Sequence, residues 1–204
     1  MLVFSLALVG APSLNLAQGE TETSSTSAES PMETVKTTLT RILTILDNHK
    51  LNAADRRRKV EAIVAERFDY REMSKRTLAA QWPLLSDSDR TQFVELFKTF
   101  LADQYAGRIE QYAGEKVEYL GERLEGQYAE IRTKLKSSKT EYSMDYRLIN
   151  EAGRWQAYDV VADGVSLVRN YRSQFEKILR SDSYQGLVQR LKDRTVKSVL
   201  GTKP

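Results

Sequence analysis

The apolar residues of this chain change period twice, and that change limits its possible folds more than any other feature. Val35, Leu39, Ile42 and Leu46 fall at i, i+4, i+7 and i+11, one stripe of a helix over about 32–48. Ser30-Pro31 starts it, with Glu33 in the first turn. Asn52 or Asp55 can cap a second helix that turns Val60, Ile63, Val64 and Phe68 inward. A short third helix is predicted from Asp69 to about Trp82, with Met73 and Leu78 inward and Pro83 as its stop. Ser86-Asp87-Ser88-Asp89 opens a long fourth helix, whose wide apolar face carries Phe93, Leu96, Phe97, Phe100, Leu101 and Tyr105. Gly107 and Gly114 bracket its end.

Past Gly114 the period drops to two. Val117 and Tyr119 alternate with Lys116 and Glu118. Ala129, Ile131, Thr133 and Leu135 alternate with charged residues, as do Tyr142, Met144, Tyr146 and Leu148 with Ser143, Asp145 and Arg147. Residues 154–162 form a fourth strand, apolar on both sides, so Tyr158 and Val160 compete with Ala157 and Val161 for the inner face. Turn sequences at 124–127, 137–140 and 150–153 join these runs into a four-stranded antiparallel meander with one apolar and one charged face. Helical spacing then returns. Val168, Tyr171, Phe175 and Ile178 stripe one helix, and Leu187, Val188, Leu191, Val196 and Val199 another. Four helices, four strands and two helices make an α+β fold, with helices on one side of an antiparallel sheet.

The ends of the chain set its organisation. MLVFSLALVGA (1–11) is apolar and uncharged, and too short for a stable membrane span. It reads as the core of a secretory signal peptide over 1–17, although no Lys or Arg precedes it. Val9-Gly10-Ala11 and Asn15-Leu16-Ala17 both offer cleavage sites. Residues 18–30 are rich in Ser, Thr and Glu and bury too little to offset their ordering entropy, so a disordered leader is expected. A single domain over 31–204 remains, in an exported protein.

Composition narrows the chemistry. The absence of cysteine removes disulfides, thiolate metal sites and a Cys nucleophile. The one histidine, His49, lies in the polar stretch Asp47-Asn48-His49-Lys50, so a His-based triad is not supported. No glycine-rich phosphate loop is present, and no metal site is expected. A net charge of +3 and a pI near 9.0 are mildly basic. The basic run Arg56 to Lys59 lacks the interleaved aromatics of a nucleic-acid surface, and reads as a solvated helix face or a docking patch. Asp163 is expected to cap the helix after the sheet, and Asp159 to pair with Arg169 or Arg172. The sheet offers Val117, Tyr119, Ile131, Leu135, Met144, Tyr146 and Leu148; the helices and corner offer Phe93, Phe97, Phe100, Leu101, Val165, Val168, Tyr171 and Phe175. These residues suit a filled core, which is the default, or a cavity for an apolar ligand. Periodicity does not separate the two. A secreted adaptor with a filled core and a basic docking face, and a carboxylate-based hydrolase, are the competing functions.

Two segments carry a family resemblance. WQAYDVVADGVSLVRNYRSQF (155–175) resembles the signature of the MlaC phospholipid-binding proteins, also called the toluene-tolerance family. The matching residues are Trp155, Tyr158-Asp159-Val160, Gly164, Ser166-Leu167-Val168, Asn170-Tyr171-Arg172 and Phe175. ERFDYREMSKRTLAAQW (66–82) resembles the family's earlier segment, in which Phe-Asp-Tyr leads into a short helix. The similarity covers about 32–195. It implies a sheet of the NTF2-like or cystatin-like kind, with acyl chains in an apolar cavity between sheet and helices. It implies a non-enzymatic, monomeric carrier in the periplasm without a cofactor. Such a carrier exchanges phospholipid with an outer-membrane lipoprotein–porin complex and an inner-membrane ABC transporter bearing an MCE-domain protein, and so maintains outer-membrane lipid asymmetry. On this reading the fifteen apolar residues just named line the pocket. Asp159, Arg169 and Arg172 brace the corner or sit near the head group.

Overall fold

The computed structural model describes residues 29–199 except 111, 113 and 139, and gives no side-chain environment for 108–110 or 195–199. The expected signal peptide, most of the leader and the inward roles of Val196 and Val199 lie outside the described residues.

Helix starts follow the capping residues. α1 (Pro31–Leu46) is capped by Ser30, whose hydroxyl accepts from the Glu33 N–H. α2 (Ala53–Arg67) is capped by Asn52, to which the Asp55 N–H donates at 2.8 Å. α3 (Tyr70–Leu78) is shorter than the sequence suggests, and a 3-10 segment, Ala79–Leu84, follows with Pro83 inside it. The reason lies four residues before the proline. In a continued α-helix the Pro83 ring would meet the carbonyl of Ala79. The helix therefore breaks at Ala79, which takes φ 47° and ψ −115°, a region that strains an L-residue. α4 (Asp87–Glu110) is the long helix.

The sheet is an antiparallel series in chain order: β1 (Lys116–Glu125), β2 (Tyr128–Lys136), β3 (Glu141–Glu151) and β4 (Arg154–Ala162), then a fifth strand, β5 (Val165–Ser166). Four strands were expected. The fifth is only two residues long and pairs Val161 with Ser166 and Ala162 with Val165. Asp163-Gly164 is its two-residue loop, with φ of 46° and 80°, the geometry of a type I′ turn. The corner is thus a hairpin before it is a helix. Asp163 does not cap that helix. Its carboxylate instead accepts the Ser143 N–H at 2.8 Å, and Ser166 caps α5 (Leu167–Ser181). α6 (Tyr184–Val199) closes the chain. Among the described residues no helix is long and apolar enough to cross a membrane.

Inner-face parity on β4 follows neither alternative. Asp159 pairs with Arg147 and Ala157 with Leu148, so Tyr158 is an extra residue, a β-bulge. The bulge lets Ala157, Val160 and Ala162 share one face while Tyr158 and Asp159 leave it.

Asp159 holds the β4–α5 corner. It is 2% exposed, and its carboxylate accepts the Ser166 hydroxyl at 2.6 Å, the Val168 N–H at 3.0 Å and an Arg147 guanidinium N–H at 3.2 Å. The expected pairing with Arg169 or Arg172 is replaced. Register sets Arg147 beside Asp159, and the first turn of α5 supplies the backbone donor. Arg172 pairs with Glu176 along α5 at 3.0 Å, and Arg169 is exposed.

Two apolar clusters result. One joins α3, α4, α5 and α6 through Met73, Phe93, Phe97, Phe175 and Leu187. The other joins α1 to the sheet through Val35, Leu39, Ile131, Tyr146 and Leu148.

Asp159→Ala would strand a buried hydroxyl and a helix-end amide and would take from Arg147 one of its two carboxylate partners. A loss of about 3 kcal/mol is expected in urea unfolding, and a loss below about 1 kcal/mol would show that the corner does not depend on this carboxylate. Ala79→Gly relieves a strained backbone and should stabilise by about 1 kcal/mol; a lower thermal midpoint would contradict that.

Candidate functional site

A cavity of about 760 Å³ lies between the two clusters. Its sheet wall is Met144, Tyr146 and Leu148 of β3 with Ala157, Val160 and Ala162 of β4. α1 contributes Val35, Leu39 and Ile42, and α2 contributes Val60, Val64 and Ala65. Phe68, Tyr70 and Met73 close the end at the α2–α3 junction, and Leu101, Ala102 and Tyr105 come from α4. Val165, Leu167 and Asn170 reach it from the β5–α5 corner. Thr99, Tyr105, Ala162, Val165 and Asn170 are exposed, so they mark the mouth. Val165, 62% exposed, leaves an apolar side chain on that rim.

A backbone bond and ion pairs join the elements around the cavity. The Asp69 N–H donates to the Ala157 carbonyl at 2.9 Å, fixing the α2–α3 junction on β4. Arg57 binds Glu61 at 2.6 Å and Asp103 at 3.0 Å, tying α2 to α4 beside the cavity. The Glu61 hydrogen bond leads the effects that raise the Arg57 pKa, so the guanidinium stays charged. Arg41 and Glu66, 3.2 Å apart, tie α1 to α2.

Two wall tyrosines, Tyr70 and Tyr146, are largely withdrawn from water. Burial, with a smaller effect of Glu61, pushes the Tyr70 hydroxyl up to about 12. Burial likewise raises Tyr146 well above its ordinary range. Both are neutral at any physiological pH. They offer an apolar ring and one hydroxyl, a chemistry suited to contact with an apolar ligand more than to proton transfer.

Of the fifteen apolar residues expected in a pocket, Leu101, Met144, Tyr146, Leu148 and Val165 line this cavity. Phe93, Phe97, Phe100, Tyr171 and Phe175 instead interlock, with ring centroids of Phe97–Phe175 and Phe97–Tyr171 both at 5.7 Å and Phe100–Tyr171 at 5.4 Å. Val168 is buried with them. They fill the helical core, and Phe100, Tyr171 and Phe175 border a smaller cleft of about 250 Å³ toward α6. The difference has a geometric cause. Phe93, Phe97 and Phe100 lie on a face of α4 that meets α5, and the adjacent face, with Ala102 and Tyr105, meets the cavity. Val117, Tyr119 and Ile131 belong to the α1–sheet cluster, and Leu135 pairs beside Val117 on the β1–β2 half of the sheet. Asp159 lies off the cavity, as do Arg169 and Arg172. The contributions of α1 and α2 were missed as pocket residues, although their inward stripes were already visible.

The sequence profile of the family described as MlaC protein matches residues 36–193. The fold also matches that of a phospholipid-binding protein from Ralstonia solanacearum, determined in complex with a phospholipid. The two superpose with a TM-score of 0.74 at 24% identity, over 85% of this chain and 99% of the other. That likeness establishes the shared fold, and the profile match, which spans most of the sequence, establishes that this chain belongs to the MlaC family.

Proposed function

We propose that this protein is a non-enzymatic phospholipid carrier of the periplasm, holding acyl chains in the cavity between sheet and helices. The observation that carries the reading is the cavity itself. Left unfilled, so much apolar wall would forgo the packing contacts that a folded interior normally makes, which favours an occupant in this space of about 760 Å³. Water finds few partners along walls of Val, Leu, Ile and Met. An acyl chain gains about 0.8 kcal/mol for each methylene buried. The volume falls within the roughly 300–1,000 Å³ of small-molecule sites.

A carrier must match the bilayer it draws from. Apolar walls supply most of that match, and the few polar groups of the lining leave little to be broken at release. The related Ralstonia solanacearum protein, seen with a phospholipid, supports the same ligand class here. Family membership supports the wider role, in which lipid passes between an outer-membrane lipoprotein–porin complex and an inner-membrane ABC transporter with its MCE-domain protein. The apolar N-terminal stretch supports export.

The protein purified from its host without detergent should carry phospholipid. Native mass spectrometry is expected to show a lipid-sized mass increment that extraction identifies as intact phospholipid. A lipid-free protein that also takes up no phospholipid from vesicles would overturn the carrier reading. Recovery of the lipid as free fatty acid and lysophospholipid would instead favour a hydrolase.

A further inference from the structure

Three cations line the cavity: Arg57, Arg67 and Lys98. Two of them are committed. Arg57 is bound by Glu61 and Asp103, and Arg67 by Glu29 and Glu66. Lys98 has no carboxylate partner among the described residues. Its ammonium lies 5.9 Å from the ring centroid of Tyr70, itself a wall residue. It is half-buried and directly precedes Thr99 at the mouth. On α4 it lies in line with Ala102 and Tyr105, one and two turns on.

An unpaired ammonium on an apolar wall draws its stabilisation from water. Acyl chains entering the cavity would displace part of that water, and a negative charge at the ammonium would then be worth more than in solvent. The lining carboxylates Glu61 and Asp103 each pair with Arg57, and neither forms an ion pair with Lys98. We propose that Lys98 is the phosphate contact of the cavity, setting the lipid phosphodiester near the Tyr70 ring. One phosphodiester monoanion meets the lining cation that has no carboxylate partner among the described residues. This inference rests on the carrier reading and adds to it the polar group that orients the lipid.

The test separates the two. Wild-type protein, Lys98→Gln and Lys98→Arg are incubated with vesicles of dioleoylphosphatidylcholine containing a minor fraction of dioleoylglycerol. The second lipid has the same tails and no phosphate. Protein is separated from vesicles, and its bound lipids are extracted and quantified. Lys98→Gln should lower the ratio of bound phosphatidylcholine to bound diacylglycerol about tenfold, the loss expected for one charge-assisted hydrogen bond. Lys98→Arg should keep the wild-type ratio, and circular dichroism should show the same fold for all three. An unchanged ratio in Lys98→Gln, with both lipids loaded, overturns the phosphate contact and leaves the carrier reading standing. Failure of the wild type to load either lipid overturns both.

Discussion

The structure depends on two apolar clusters that do not close on each other. Hydrophobic surface ordinarily collapses to the density of an organic crystal. Here the α1–sheet cluster and the α3–α4–α5–α6 cluster face one another across 760 Å³. Polar links hold the frame. The Asp69–Ala157 backbone bond docks the α2–α3 junction on β4, Arg57 spans α2 and α4, and Arg41–Glu66 joins α1 to α2. At the far corner the buried Asp159 carboxylate sets the start of α5 against β4. Directional bonds of this kind fix distances between walls in a way that apolar contact alone does not.

The residues facing the gap explain why it stays open. Ala65 and Ala102 on the helices and Ala157 and Ala162 on the sheet line it, together with Val60, Val64 and Val160. Larger side chains at those positions would fill the space. The large rings of the chain are elsewhere, locked edge to face within the helical core. The bulge at Tyr158 contributes as well. It turns both Ala157 and Val160 toward the cavity and frees Asp159 for its structural task.

Much of this was legible in the sequence. The switch of hydrophobic period separated helices from strands, and Ser30, Ser86-Asp87-Ser88-Asp89 and the hairpin turns placed most boundaries. The misses have physical causes. A two-residue strand such as β5 has no period to detect. Parity counting assumes one residue per step, so it has no place for the bulge at Tyr158. The break at Ala79 was encoded by Pro83, read as a stop at the proline when its steric effect falls four residues earlier. The pocket was the hardest part. Phe93, Phe97, Phe100, Tyr171 and Phe175 are large rings at inward positions, and large rings fill space. A cavity is written in small residues at inward positions, and the stripes of α1 and α2 together with alanines 65, 102, 157 and 162 are that signal.

The central claim is that the ligand occupies this gap, and filling the gap tests it most directly. The double variant Ala65→Trp/Ala102→Trp brings an indole from each helical wall into the space without adding charge. Phospholipid uptake from vesicles is then measured beside the thermal midpoint. The account predicts a folded protein, at least as stable as wild type, that no longer takes up phospholipid. A folded variant that loads phospholipid as the wild type does would place the lipid elsewhere and contradict it.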